Sequence, residues 1–331
     1  MIKILQIRET PMTKCAGIDS NCQGLIDLFV DDDEIRLLPT IDYTRHKVPM
    51  IGLYYLDKKE ICQSIVKTQP DIIHIHGAYS FTLYVAVKCA MKYGLPIFLS
   101  PHFHPFWALR RPTMGKLFFQ VVTKNILRHI KTVFTINCED TEIFKKYHSN
   151  VKRIPHWSKF LVSEEMPMKN PKMILFVGRL EESNKGFEHL YYLPEGKYEI
   201  HCIGKGCVSL RSDMVKHTNV SEVELSRLYQ QASLLVVPSR YEAFSYVTLE
   251  ALVNYTPVVI SERVRIADYL HDISGVCTFK YQDYNDFVSK VEQTIGTNVD
   301  VNKIKKIFSP FKIKEEYKKA YLEAVKKDGR L

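Results

Sequence analysis

Two glutamates separated by seven residues follow an apolar run in the second half of the chain. The run Ser233–Pro238 predicts a buried strand, Glu242 follows in a loop, and Glu250 falls early in a predicted helix, 245–254. Ligands of parallel α/β sheets bind beyond the carboxyl ends of the strands, so both carboxylates are predicted to face such a crevice. Taken singly, Glu242 also fits a helix-entry carboxylate, and Glu250 fits a solvated surface residue.

The N-terminus of that predicted helix could also bind an anion. Phe244, Ser245 and Tyr246 supply backbone N–H groups at its first turn, where the helix dipole favours negative charge. A second apolar strand near 173–178 ends in Gly178-Arg179, and Lys185-Gly186 begins the next predicted helix. Arginine can grip a diphosphate with two hydrogen bonds and lysine acts as a point charge, so the pair indicates a diphosphate site.

Together these segments resemble the family 4 (group 1) glycosyltransferases of the GT-B fold. The residues that carry the resemblance are Gly178-Arg179-Leu180, Lys185-Gly186, Pro238-Ser239, Glu242, Leu249-Glu250-Ala251-Leu252 and Thr256-Pro257-Val258-Val259. The segment Pro70–Gly77 also looks like the N-terminal domain of that family. The resemblance implies an α/β protein with two Rossmann-like doubly wound domains that face a central cleft.

The resemblance also implies roles for individual residues. Arg179 and Lys185 would hold the diphosphate of the donor, Glu250 the ribose hydroxyls and Glu242 the hydroxyls of the donor sugar. Besides Arg179, Lys185 and Glu250, the expected donor-binding residues are Gly17, Gly178, Phe244, Ser245 and Tyr246. The expected catalytic residues are Glu242, His102, Arg179 and Lys185.

Such enzymes usually retain the anomeric configuration and work without a metal. We therefore expect no cofactor, and a nucleotide sugar as the donor substrate, with UDP favoured over GDP. Two fixed cations and a helix N-terminus can supply the electrostatic stabilisation that a divalent ion would otherwise give.

Other histidines are also candidates for a functional role. His104 lies two residues later, and His74 and His76 alternate along another predicted strand, so that both face one side as a metal pair would. No third ligand lies at a useful spacing, which disfavours zinc. The alternative for His74, and less so for His102, is a partly buried, hydrogen-bonded histidine.

Several positions depart from the family pattern. Ala243 and Ser245 stand where glycines usually flank the first glutamate, and Tyr255 stands where a glycine commonly precedes Thr-Pro-Val. Only Gly17 remains of the N-terminal glycine-rich loop, and Pro155-His156-Trp157 replaces an interdomain Pro-Asn-Gly. These changes bear on the identity of the donor sugar, on the acceptor loop and on the level of activity.

Length and composition fit this architecture. The 331 residues suggest two domains, and 46% hydrophobic with 25% charged residues is typical of a globular chain. No apolar run approaches the ~18–20 residues that cross a bilayer, and the N-terminus reads as a strand rather than a signal peptide. Eight cysteines without a C-x-x-C pair indicate a reduced, cytoplasmic protein.

The excess of positive charge is concentrated in the first half of the chain. Residues 1–155 hold 21 basic and 14 acidic groups, and no acidic residue lies between Asp71 and Glu139. Cations interleaved with aromatics near Trp107, Arg110, Arg111 and Lys116 suit a membrane interface or an anionic acceptor, with a peripheral position on the inner membrane face. The alternative is an amphipathic helix over 115–129 whose Phe118, Val121 and Val122 are core residues. No nucleic-acid-binding motif accompanies the charge.

Alternating strands and helices predict the domain boundaries. We expect an N-terminal acceptor domain over 1–155, a linker over 156–172 and a donor domain over 173–310. The C-terminal segment 311–331, with a helix over 312–326, is expected to pack on the N-terminal domain, as in the family.

The sequence thus predicts a retaining glycosyltransferase that moves a sugar from a nucleotide-diphosphate sugar to a glycan or lipid-linked acceptor in surface polysaccharide or glycoconjugate synthesis. The alternative is a non-catalytic GT-B relative that binds a nucleotide or glycan without turnover.

Overall fold

The chain divides into two units in a computed structural model. One unit consists of residues 1–155 and 310–331, and the other of residues 156–309. The structure describes residues 1–8, 17–39, 45–47, 54–109, 111–158 and 168–327, with the backbone alone at 17–20, 45–47, 54–56 and 327. No helix within these ranges is both long and apolar enough to cross a bilayer.

The first unit begins as an alternation of strands and helices. Its elements up to residue 155 are β1 (Ile2–Arg8), α1 (Gly17–Leu28), β2 (Ile35–Leu38), β3 (Arg45–Lys47), β4 (Tyr54–Leu56), α2 (Lys58–Thr68), β5 (Ile72–His76), α3 (Phe81–Lys92), β6 (Ile97–Ser100), α4 (Pro112–Phe118), α5 (Lys124–Leu127), β7 (Thr132–Thr135), α6 (Cys138–Lys145) and β8 (Val151–Arg153). Asp57, Ser80 and Asn137 cap α2, α3 and α6 by accepting backbone N–H bonds.

Six of these strands form a parallel sheet in the order β2-β1-β5-β6-β7-β8, and β3 and β4 pair separately. The central strands are apolar on both faces because helices cover both sides of such a sheet. All five residues of β5 are buried, including His74 and His76. The strand order reverses between β1 and β5, which puts Arg8 beside His76 at the carboxyl edge.

The second unit repeats this design. Its elements are β9 (Asn170–Val177), β10 (Glu199–Ile203), β11 (Met214–His217), α7 (Glu222–Gln231), β12 (Ala232–Val237), α8 (Tyr246–Val253), β13 (Val258–Ser261), β14 (Val276–Phe279), α9 (Tyr284–Thr294) and α10 (Val301–Ile307). Its parallel sheet has the order β11-β10-β9-β12-β13-β14, the dinucleotide-fold order, which reverses between β9 and β12.

The final helix, α11 (Pro310–Lys327), belongs to the first unit. Its Tyr317 and Tyr321 are fully buried, and both rings pack against Phe134 of β7. At the amino end of the sheet Lys314 and Lys318 both lie 3.1 Å from Asp32, whose pKa they hold at about 2 against the effect of its burial. The predicted helix 312–326 falls within α11, and residues 328–331 lie outside the described part.

The structure corrects three predicted elements. Residues 159–167 of the predicted linker 156–172 lie outside the described residues, and the strand predicted from Met173 begins earlier, as β9 at Asn170, whose carbonyl accepts a hydrogen bond from Ser233. The predicted helix 115–129 is α4, a π-helical turn and α5, and it starts at Pro112, a residue suited to a first helical turn. The helix that was predicted to begin at Lys185-Gly186 is instead two 3-10 segments, Ser183–Lys185 and Phe187–Tyr192, on either side of Gly186.

Candidate functional site

The predicted donor site lies where the strand order of the second sheet reverses. Gly178 and Arg179 follow β9, and Pro238 to Glu242 follow its neighbour β12. Such a switch point opens a crevice between the two connections that leave the sheet in opposite directions. The topology therefore brings together two segments that are about sixty residues apart in the chain.

Direct contacts hold these two loops against each other. Gly186 has a left-handed backbone (φ 69°), and a β-carbon there would lie 2.1 Å from the Pro238 carbonyl oxygen. The Arg240 N–H donates to the Asn184 carbonyl at 2.8 Å, and the Asn184 side chain donates to the Tyr241 carbonyl at 3.0 Å. Glycine at position 186 is required both for the turn and for this close approach.

This contact between the two loops places the Lys185 side chain beside Glu242. The Lys185 ammonium lies 2.9 Å from Glu242 Oε1, to which Ser239 also donates a hydrogen bond of 2.7 Å. The Glu242 side chain is only 13% exposed. Burial alone would raise its pKa, but the Lys185 charge and hydrogen bonds from Ser239, Lys185 and Ser245 outweigh it and lower the pKa. Glu242 is thus an ionised carboxylate beside a fixed cation.

Arg179 pairs with a different carboxylate. Its side chain is 73% exposed, and its Nε lies 2.7 Å from Glu182. The neighbouring Gly178 packs on the loop after β10, where a β-carbon on Gly204 would meet the Gly178 carbonyl oxygen at 1.8 Å. The Leu180 N–H donates to the Lys205 carbonyl at 2.8 Å in the same contact.

Sequence reasoning missed this loop, Gly204-Lys205-Gly206. The signal was present, because two glycines flank a lysine directly after the residues that form β10. Gly204 and Gly206 both have positive φ, and a β-carbon on Gly206 would lie 2.9 Å from the Glu181 backbone nitrogen. Three neighbouring strands, β10, β9 and β12, therefore contribute loops to one edge.

Glu250 lies on α8 and is half-buried rather than a solvated surface residue. The Tyr229 hydroxyl, fully buried on α7, donates to Glu250 Oε2 at 3.0 Å. Burial raises the Glu250 pKa to about 7, the Tyr229 hydrogen bond opposes the rise, and the Glu222 charge adds to it. This carboxyl therefore titrates near neutral pH.

The residues that start α8 are ordered by aromatic packing. Phe244 and Ser245 are buried, and α8 begins at Tyr246 as predicted within one residue. The His156 ring stacks on Tyr246 at 5.2 Å and meets the Phe244 ring edge at 5.1 Å. Sequence reasoning placed His156 in a linker and did not connect it with this loop; it is 4% exposed.

The predicted histidine, His102, lies in the first unit just after β6. Its Nε2 is 3.1 Å from His76 Nδ1, and its backbone is left-handed (φ 43°). Burial lowers its pKa to about 4, with a further contribution from His104. The ring is therefore neutral near pH 7.

His74 is a hydrogen-bonded core residue. Its ring contacts Ser100 Oγ at 2.9 Å and the Tyr321 hydroxyl of α11 at 2.8 Å. In the described ranges, no three His, Cys, Asp or Glu side chains are grouped closely enough to hold a metal ion.

The remaining predicted residues lie on the surface or at its margin. Trp107 is 40% exposed, Arg111 is exposed directly before α4, and Lys116 is exposed in the last turn of α4. Arg110 lies outside the described residues. Gly17 is the first residue of α1, and the residues directly before it are not described.

Comparisons with known proteins agree with this geometry. Residues 171–297 match the model of the family described as glycosyl transferases group 1. An uncharacterized glycosyltransferase of Methanocaldococcus jannaschii is 34% identical over 125 residues, which are 33% of this chain and 32% of the relative. The match thus spans about a third of that relative.

Solved structures match the whole fold at low identity. Sucrose-phosphate synthase from Thermosynechococcus elongatus has a TM-score of 0.73 at 15% identity and covers 98% of this chain and 99% of its own. Anabaena HepE in complex with UDP-glucose has a TM-score of 0.74 at 13% identity, with 98% and 100% covered. The predicted α/β fold is confirmed. The segment that contains Lys185, Glu242 and Glu250 is thus similar to the glycosyl transferases group 1, and the chain as a whole has the fold of the solved structures.

Proposed function

We propose that this chain is a retaining glycosyltransferase that moves a sugar from a nucleotide-diphosphate sugar to a glycan or lipid-linked acceptor. The observation that carries the proposal is the buried Lys185–Glu242 pair at the switch point of the second sheet. A fixed cation beside an ionised carboxylate matches a donor that has a diphosphate on one side and sugar hydroxyls on the other.

Each site residue then has a defined task. As the bond between the sugar and the diphosphate breaks, negative charge grows on the leaving diphosphate, and Lys185 and Arg179 stabilise it. Glu242 accepts hydrogen bonds from hydroxyls of the donor sugar. Glu250 accepts hydrogen bonds from the ribose hydroxyls, a contact that favours its ionised form.

The exposed Arg179 fits this scheme as a mobile cation. Its partner Glu182 lies three residues away on the same surface loop, and exposed pairs of this kind are worth only about 0–1 kcal/mol. An arriving diphosphate carries more negative charge than one carboxylate and can take Arg179 from Glu182.

We further propose UDP as the nucleotide and no metal requirement. The UDP proposal is supported by Anabaena HepE, which has the same fold and whose structure contains UDP-glucose. For the metal, Lys185, Arg179 and the N-terminus of α8 are the positive groups that would replace a divalent ion.

A donor screen tests this function. We expect one UDP sugar among a panel of UDP and GDP sugars to stabilise the protein thermally and to be hydrolysed in the presence of EDTA. At a donor concentration of about 100 times Kd, the free energy of unfolding should rise by about 2.7 kcal/mol. Binding without hydrolysis or transfer would favour the non-catalytic alternative, and binding of no nucleotide sugar would contradict the transferase proposal.

Retention is tested separately on the product. Proton NMR of the new glycosidic linkage should show the same anomeric configuration as the donor. An inverted product would contradict the retaining mechanism without affecting the donor assignment.

The acceptor proposal rests on the surface of α4 and the π-helical turn after it. Leu117 is 65% exposed and Val121 is 58% exposed, and residues four apart lie on the same helix face. Lys116 and Lys124 are exposed beside them, whereas Phe118 and Phe119 form the core contact of this segment. Exposed apolar residues flanked by lysines suit the interface of an anionic membrane.

We therefore propose a lipid-linked or membrane-proximal acceptor, a cytoplasmic protein peripheral to the inner membrane face, and a role in surface polysaccharide or glycoconjugate synthesis. Sedimentation with vesicles containing phosphatidylserine should capture the protein at low salt, and phosphatidylcholine vesicles should not. The double variant Leu117→Gln, Val121→Gln should weaken capture, and the same change at exposed Val223 of the second unit is the matched control. Equal binding to both vesicles would contradict the membrane proposal.

A further inference from the structure

Ser245 has a backbone conformation that belongs to glycine. Its φ is 109° and its ψ is 92°, and it is buried. A β-carbon is strongly disfavoured in this region, so a serine there holds strain that glycine would relieve. The family resemblance places a glycine at this position. A strained non-glycine residue beside the predicted site calls for a reason that lies in its side chain.

The Ser245 hydroxyl does not make the usual helix cap. Ser80 and Ser221 accept backbone N–H bonds at the starts of α3 and α7, but Ser245 makes no such bond at the start of α8. Its Oγ instead accepts a hydrogen bond from Thr248 Oγ1 at 2.9 Å. Because Thr248 occupies an acceptor position of that oxygen, the Ser245 proton is free to be donated elsewhere.

That proton has an acceptor in Glu242. The Ser245 hydroxyl is one of three side chains whose hydrogen bonding lowers the pKa of Glu242, and the other two, Ser239 and Lys185, lie 2.7 and 2.9 Å from Glu242 Oε1. A short relay therefore runs from the Thr248 hydroxyl through the Ser245 hydroxyl to Glu242. A β-carbon and hydroxyl at position 245 are essential to this relay, and glycine cannot provide them.

We propose that Ser245 is a positioning residue that fixes the Glu242 carboxylate for the donor sugar through its hydroxyl. The inference rests on the proposed function for the role of Glu242, but not for the hydrogen bond itself. Two consequences follow from the geometry. Glycine at position 245 should make the protein more stable and the enzyme slower. If Ser245 had only a structural role, its replacement would not raise stability and lower the rate at the same time.

The experiment compares Ser245→Gly and Ser245→Ala with a control, Gln282→Gly. Gln282 is an exposed residue at φ 68°, so its replacement by glycine also relieves positive-φ strain but leaves the site unchanged. The measurements are the midpoint of thermal unfolding, the titration of Glu242 by carboxyl-carbon NMR, and kcat and KM for UDP-glucose or for another UDP sugar that proves to be the donor. The Glu242→Gln spectrum assigns the signal.

We expect both glycine variants to unfold at a higher temperature than the wild type. Only the Ser245 variants should raise the Glu242 pKa, by about one unit, because one hydrogen bond to the charged carboxylate is lost. Their kcat should fall about tenfold with a smaller change in KM, since the loosened carboxylate acts after binding.

The titration decides the inference even without turnover. An unchanged Glu242 pKa in Ser245→Gly would overturn it, as would a wild-type kcat in that variant. A wild-type protein that turns over no nucleotide sugar would overturn the proposed function instead, and the carboxyl titration would still settle whether Ser245 holds Glu242. Thr248→Val is a second test. Because it removes the hydrogen bond that Thr248 donates to Ser245, it should raise the Glu242 pKa, as the Ser245 variants do.

Discussion

Lys185 Nζ lies 2.9 Å from Glu242 Oε1, although the two residues are 57 positions apart in the chain. The pair exists because Gly186 allows the loop after β9 to lie directly on Pro238 at the end of β12. Both side chains are mostly buried, so each group depends on the other for its charge to be tolerated.

We predict that Lys185→Ala lowers sugar transfer by about 100-fold or more, because the leaving diphosphate loses a fixed cation. It should also lower the free energy of unfolding by about 3 kcal/mol, because a buried carboxylate loses its partner. Initial rates and urea unfolding measure the two effects. Lys197→Ala is the control, since Lys197 pairs with Glu292 on an exposed surface, and equal losses in both variants would contradict the assignment.

Glu242→Gln should preserve the shape of the site but remove its charge. We expect the rate of sugar transfer to fall about 100-fold, whereas the affinity of the protein for UDP should change little, because UDP has no sugar for Glu242 to contact. Calorimetric titration with UDP, alongside the rate measurement, checks this prediction. A large loss of UDP affinity would show that Glu242 serves the nucleotide rather than the sugar.

Two glycines with nearly the same backbone allow a matched test of the loop contact. Gly196→Ala (φ 73°) adds a β-carbon in open space and should cost about 1 kcal/mol of stability. Gly186→Ala (φ 69°) adds it 2.1 Å from the Pro238 oxygen and should cost about 3 kcal/mol, with loss of UDP binding. Equal effects in thermal unfolding would mean that the close approach does not matter.

Glu250 should make stability depend on pH near neutrality. Burial raises its pKa from 4.5 to about 7, so the folded chain binds one more proton than the unfolded chain between these values. Its contribution is therefore greatest below pH 4.5 and is lost as the pH rises through 7, by about 2 kcal/mol between pH 5 and 7. Glu250→Gln should lack this decline in urea unfolding curves. A parallel pH dependence in wild type and variant would contradict the prediction.

His74 should act in the opposite direction in the first unit. Burial lowers its pKa from 6.5 to about 3, with a smaller contribution from His102. Between these pH values His74 is protonated in the unfolded chain and neutral in the folded chain. The contribution is full above pH 6.5 and falls by about 2 kcal/mol between pH 6.5 and 5. The difference between wild type and His74→Gln, measured by urea unfolding at both pH values, should show this loss. Tyr321→Phe, which removes one hydrogen bond to the ring, serves as a control that should not change the slope.

The sequence by itself predicted much of the fold and supplied the candidate residues of the site. Alternating buried strands and amphipathic helices are local signals, and within the described residues they indicate the strands other than β3, β4 and β11. Strands β3, β4 and β11 are short and carry little apolar pattern, so periodicity does not reveal them. Glu242, Glu250, Arg179 and Lys185 were recognisable because their spacing around strand ends is itself a local property.

Only the tertiary structure decided which of these residues meet. It paired Lys185 with Glu242, turned Arg179 toward Glu182, and buried Glu250 beside Tyr229. It also showed that Ser245 keeps the backbone of a glycine. Pairings, burial and backbone strain depend on which loops the strand order brings to one edge of the sheet. That order is a property of long-range packing, which no local pattern in the sequence contains.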